Sequence, residues 1–250
     1  NQNNSIYCML IAKRFLNNIN KFKMPSTTAT TTTTSSKWLP QDHVPEHLKQ
    51  IFIENLSKPL TPTRNMLFVF HIIEGLKHQK RTGWVDRGIN DCESISDHIF
   101  RVTFMSQFLK SPGLDVSKCF SIALAHDIAE ALVGDITPAD KNVDKKEKHY
   151  REKATIDYLC ELIKPYNEKA ATKLCEDWNA YENISCEEAV YVKDLDKYEL
   201  LVQAIEYEKR YPELDVEEFW RALDMIKTDE VKQWAKDLLE ERIEHQKTLK

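Results

Sequence analysis

Only five of the 250 residues are glycine, and all five lie between Gly75 and Gly134; an average protein carries roughly 7%. Tight β-turns and the close approach of backbone to phosphate both call for glycine, because a residue without Cβ adopts positive φ at little cost. A chain this poor in glycine is expected to be built from helices. The one GxxxxG string, Gly83 to Gly88, continues into Ile89 and Asn90. It therefore lacks the lysine and hydroxyl residue that a P-loop sets on phosphate and Mg²⁺. No stretch alternates with period two for long enough to read as a strand. The expected fold class is all-α.

Helix signals punctuate the chain from Trp38 onward. Thr61-Pro62 supplies an N-cap and an N1 proline for a helix through about Lys77. A loop over 80–93 carries Gly83 and Gly88. A second helix starts at Ser94 or Ser96 and runs to Leu109, before Pro112-Gly113. A third spans Val116 to Val133 and stops at Gly134, read as a left-handed cap. Further helices are expected near 144–164, 166–181, 186–210, 215–226 and 229–247. Residues 1–37 read differently: Pro25 to Ser36 is almost entirely threonine, serine and alanine, too poor in apolar residues to pack. Upstream, Met9 to Lys23 mixes large apolar residues with four cations, which suits a mitochondrial targeting helix and equally a plain basic tail. The folded domain is expected over 38–250.

Of the 35 basic residues five lie in 1–41, where there is no acidic one, so 42–250 holds 40 acidic against 30 basic residues, a net of −10. A body this acidic is a poor binder of nucleic acid polymers, and a phosphate substrate would need local cations or metal. Met66 to Phe70 is the longest strongly apolar run, far short of the roughly 20 residues that cross a bilayer, so no membrane partner is expected. Six cysteines without a CxxC pair fit a reducing, cytoplasmic setting.

The chemistry concentrates in the third helix. Val116, Phe120, Ala123, Leu124, Ile128 and Ala131 mark its buried face by their spacing, and Asp127 falls on that stripe. A core-facing carboxylate is normally paired, hydrogen-bonded or metal-bound, because burying an uncompensated charge costs several kcal/mol. His126 lies beside it and Glu130 follows at i+3 from Asp127, so the three side chains can meet at one edge. His98 shares a face with Val102, Met105 and Leu109 and points inward. Asp196 aligns with Ala189, Val192 and Leu200, while Asp194 aligns with Val190, Tyr198, Leu201 and Ile205; periodicity does not choose between them. Two inward histidines and two inward aspartates suit a divalent transition metal.

In their order and spacing these residues resemble the HD-domain metal-dependent phosphohydrolases, whose H…HD…D pattern falls on His98, His126-Asp127 and Asp196. Arg81-Thr82-Gly83-Trp84-Val85, Glu93 to His98, His126 to Ile136 and Leu195-Asp196-Lys197 look like the 5′-deoxynucleotidase branch. The resemblance covers roughly 60–215 and decides for Asp196 over Asp194. It implies an HD-domain helical bundle whose four ligands hold a divalent cation (Mn, Co, Mg or Zn), with Asp127 and Glu130 catalytic. Glu130, Asp135 and the Ile136 carbonyl match positions for a second cation, and Arg81, Trp84 and Asp135 match substrate contacts. The implied reaction is hydrolysis of a (deoxy)ribonucleoside 5′-monophosphate to nucleoside and phosphate, in a homodimer to which Leu159, Leu162, Ile163, Leu238 and Leu239 could contribute. A helical scaffold without activity, or an HD phosphohydrolase for another phosphate ester, is the alternative. The charged run 145–153 reads as a solvated face.

Overall fold

The computed structural model describes residues 37–54 and 60–248; of the tail expected over 1–37, residues 1–36 lie outside the described residues. Among the described residues there is no strand beyond an isolated antiparallel bridge between Lys80 and Ser94. Seven longer helices carry the fold: α1 Pro62–Ile73, α2 Ile95–Ser106, α3 Val116–Ala125, α4 Lys145–Ile163, α5 Glu168–Asn183, α6 Glu187–Arg210 and α7 Asp229–Thr248. None of the described helices is long and apolar enough to cross a membrane.

The helices begin where local chemistry satisfies their first free N–H groups. Thr61 accepts from Arg64 N, and Ser94 forms a reciprocal capping box with Asp97 that starts α2. Asp115, Asp144 and Asn167 cap α3, α4 and α5 in the same way. Two helices are shorter than their periodicity suggested. The first stops at Ile73 and resumes as a single turn, Gly75–His78. At Gly75 an added Cβ would lie 2.8 Å from the Ala131 carbonyl oxygen, so the turn is pressed against the backbone near the site.

The larger departure lies in the third helix, which ends at Ala125 and resumes only as the turn Glu130–Val133. Between them the hydrogen bonds tighten to i→i−3: Ile128 N to Ala125 O, Glu130 N to Asp127 O and Ala131 N to Ile128 O. The buried face of α3 is also not the expected stripe. Cys119, Ile122, Ala123 and Ala125 are buried, whereas Phe120 and Leu124 stand 40% and 49% exposed. A mean period of 3.6 residues carried through residue 133 placed the stripe wrongly, because the chain overwinds at 126–129. Gly134 then takes φ 82° and ψ 167°, an extended conformation essentially reserved to glycine and not a left-handed helical cap.

Two apolar clusters form the core. One gathers Ile122, Ala123, Val192, Leu195 and Leu201 with Trp84 and part of α7. The other gathers Phe68, Ile72, Ile95, Ile99, Ala129, Leu132, Ile156 and Leu159. Both α2 and the α3 segment pass from one cluster to the other. His98 sits between Ile95 and Val102 on α2, and His126-Asp127 sits between Ala123 and Ala129. The polar residues thus occupy the seam where two hydrophobic bodies meet. Leu159, Leu162, Ile163 and Leu238 are buried in this core, which corrects their reading as contributors to a subunit interface.

Candidate metal centre

At the seam the four side chains of the H…HD…D pattern converge. His98 Nε2 lies 3.3 Å from His126 Nε2, 3.3 Å from Asp196 Oδ1 and 3.6 Å from Asp127 Oδ2. His126 Nε2 is 3.2 Å from the same Asp127 oxygen. Ligand atoms of His98, His126 and Asp127 all fall within 4.8 Å of one another, a grouping able to hold a metal ion. The imidazole side chains are sealed from solvent, whereas those of Asp127 and Asp196 are 18% and 29% exposed. The carboxylates therefore open onto a cavity of about 1430 Å³ that Arg81, Glu130, Asp135 and Lys148 also line.

The partners on the far side of each ring decide what Nε2 can do. His126 Nδ1 is 2.6 Å from the Ala123 carbonyl oxygen, which can only accept, so Nδ1 carries a proton. His98 Nδ1 is 2.5 Å from Glu199 Oε2, a contact that places its proton there as well. In the neutral tautomers both Nε2 lone pairs then face each other, with two carboxylate oxygens beside them. Four acceptors aimed at one point require a cation between them, so the donor set fits a divalent metal. Burial and Arg81 oppose a charged His98, but Glu199 and Asp196 outweigh them and push its pKa up to about 10, so a proton competes with metal for this nitrogen. For Asp127 and Asp196 burial again acts the other way, and the histidines and Arg81 hold both carboxylates well below their usual range.

The surroundings place the remaining expected residues unequally. Arg81 Nη1 lies 3.6 Å from Asp127 Oδ2 and 3.7 Å from Asp135 Oδ1, so it faces the centre. Asp135 Oδ2 accepts from Thr82 N at 2.7 Å, and the Asp135 carbonyl accepts from the Thr82 hydroxyl, tying the Arg81 loop to the chain after Gly134. Glu130 is buried, and burial together with Asp127 and Asp135 raises its carboxyl pKa well above the ordinary value. Its Oε2 is buried without a hydrogen-bond partner. The Ile136 carbonyl accepts from Lys148 Nζ at 2.8 Å. Trp84 is 1% exposed, packs against Tyr207 and Phe219, and donates from Nε1 to Glu93. It backs the cavity from within the core.

Asp194 and Asp196 separate cleanly. Asp194 Oδ2 accepts from Lys227 N and Thr228 N just before α7, whereas Asp196 Oδ2 accepts from Tyr181 Oη and its other oxygen faces His98. Sequence reasoning missed Glu199, which is fully buried and also receives Arg101 Nε at 2.8 Å. Its position at i+3 from Asp196 was the available signal. Lys148 and Glu152 were missed as well: they were absorbed into a solvated run, yet Glu152 is only 8% exposed.

Comparison with known proteins identifies the family. A sequence model of the HD domain matches residues 73–237. The Saccharomyces cerevisiae protein named 5′-deoxynucleotidase YBR242W is 49% identical over 210 residues, 83% of this chain and 85% of that protein. The human protein named 5′-deoxynucleotidase HDDC2 is 41% identical over 145 residues, 58% of this chain and 69% of that one. The solved structure of "HD domain-containing protein YGK1(YGL101W)" superimposes with a TM-score of 0.64 at 39% identity, covering 83% of this chain and 98% of that one. With the family pattern and the helical bundle both present, the chain belongs to the HD domain family.

Proposed function

We propose that this protein is a metal-dependent 5′-deoxynucleotidase that hydrolyses (deoxy)ribonucleoside 5′-monophosphates to nucleoside and phosphate. The observation that carries the reading is the convergence of two imidazole Nε2 atoms and two carboxylates at the floor of one cavity, beside Arg81. Relatives at 41–49% identity carry the same activity in their names. His98, His126, Asp127 and Asp196 would hold the ion, and the mixed N/O donor set favours Mn²⁺, Co²⁺ or Zn²⁺ over Mg²⁺. A divalent ion held there would lower the pKa of a bound water toward ~7 and neutralise phosphate charge.

The chain's own groups supply the rest. Arg81, already facing two carboxylates, presents a planar guanidinium that can clamp phosphate oxygens. Water attacks phosphorus in line with the 5′-oxygen as the P–O5′ bond breaks, and Glu130, buried beside the centre, relays the water's proton to the departing 5′-oxygen. Asp135 fixes the Arg81 loop through Thr82, and Trp84 stiffens the wall behind it. Nucleotides are metabolites of the cell interior, so a cytoplasmic enzyme is part of the proposal.

The test is phosphate release from a panel of nucleoside 5′-monophosphates by protein stripped with chelator and reloaded with Mn²⁺, Co²⁺, Zn²⁺ or Mg²⁺. Activity that returns with metal and is lost in Asp127→Ala supports the reading. No release from any nucleotide with any of these ions overturns it.

The homodimer belongs to the same proposal. Phe100 and Phe104 on α2 and Phe108 just past its end repeat every fourth residue and are 71%, 50% and 58% exposed; Phe104 stacks on Phe100 and meets Phe108 edge-on. A face this apolar on a helix otherwise packed in the bundle suits a second copy of the chain.

A further inference from the structure

We propose that the ε-ammonium of Lys148 stands in this chain where a second divalent cation would otherwise bind, so that the centre works with one metal ion and a lysine. The inference rests on the metal-centre reading above and deepens it. Lys148 reaches from the first turn of α4 into a cage of three oxygens drawn from different segments. Its Nζ lies 2.8 Å from the Ile136 carbonyl oxygen, 3.4 Å from Glu152 Oε1 and 3.6 Å from Glu130 Oε1. Glu130 and Ile136 are two of the three groups expected from sequence to hold a second ion. The third, Asp135, is engaged elsewhere: one oxygen accepts from Thr82 N, and the other faces Arg81.

The cage is built for a cation and remains reachable from the cavity. Both glutamates are buried, Glu130 to 2% and Glu152 to 8% exposure, and as carboxylates both are stabilised there by nearby positive charge. The second Glu130 oxygen is buried and unpartnered, so the cage still has an acceptor to offer. The lysine side chain is 31% exposed and lines the cavity that holds the proposed metal ligands. An ammonium has three donors and no acceptor. It can neutralise Glu130 and a substrate phosphate, but it leaves water activation to the His/Asp centre.

The donor chemistry makes the idea separable from the first metal site. The His/Asp centre offers nitrogen and oxygen, whereas the cage without its lysine offers oxygen alone, which suits a hard ion such as Mn²⁺ or Mg²⁺. The experiment is titration of Mn²⁺ into chelator-stripped full-length protein, read by calorimetry and by elemental analysis, with thermal melts to establish folding. We expect one Mn²⁺ per chain in the wild type, two in Lys148→Met, and one again in Lys148→Arg and in the double variant Lys148→Met/Glu152→Gln. Two ions in the wild type, or one in a folded Lys148→Met whose first site keeps its affinity, would overturn the proposal while leaving the metal centre standing. No bound ion in any variant would overturn both.

Discussion

His98 shows how one residue depends on groups that share no motif with it. Its ring is oriented by Glu199, which is in turn held by Arg101. Outer partners of this kind set ligand tautomer and basicity, and their loss typically costs about 10–100-fold in metal affinity. Glu199→Gln keeps size and removes charge, so it is expected to weaken Mn²⁺ binding by roughly tenfold or more, measured by calorimetric titration. Asp194 and Asp196 provide the complementary contrast. Asp194→Ala removes the acceptor for two backbone N–H groups before α7 and is expected to cost about 1–3 kcal/mol of stability with metal content unchanged. Asp196→Asn is expected to lose metal, and melting curves paired with elemental analysis separate the two.

Individual elements set where the chemistry can sit. The tightened turn at 126–129 places His126, Asp127 and Glu130 at the seam between the clusters, and Gly134 redirects the chain so that Asp135 can accept from Thr82. Since Gly134 holds φ 82° with ψ 167°, Gly134→Ala is expected to cost about 1–3 kcal/mol and to lower activity further by displacing Asp135, seen as a falling Tm and a rising KM. On α4, burial pushes the Glu152 carboxyl up from 4.5 to about 7 despite Lys148. A raised carboxyl binds more protons folded than unfolded, so this contribution favours the fold below pH 4.5 and is lost as pH rises to about 7, by roughly 3 kcal/mol at most. Glu152→Gln should therefore flatten the decline of Tm between pH 5 and pH 8; an unchanged decline would refute this account.

For the whole molecule, two hydrophobic bodies share helices and leave a polar seam, and the large cavity opens along it. The phenylalanine row along α2 and just past its end is an exposed apolar face on a helix that carries a candidate ligand. If a second copy covers it, Phe104→Glu should shift the protein from dimer to monomer in light scattering coupled to gel filtration, with metal content retained. A wild type that runs as a monomer at all concentrations would remove the dimer from the proposal.

The sequence by itself determined the helical class, through scarce glycine and absent period-two alternation, and it supplied the H…HD…D pattern, because a buried charge on an apolar stripe is anomalous however the helices pack. Its errors followed from assuming one uniform period: residues 116–133 do not form one helix, and a single stripe fitted across the tightened turn at 126–129 assigned Phe120 and Leu124 to the buried face when the regular α3 turns them outward. Resemblance, not periodicity, selected Asp196. Only the tertiary structure decided that Glu199 stands behind His98, that Asp194 accepts from the chain just before α7, and that Lys148 fills an oxygen cage. Each of those facts is a meeting of side chains distant in sequence, and a one-dimensional pattern records which face a residue is on but not what it faces.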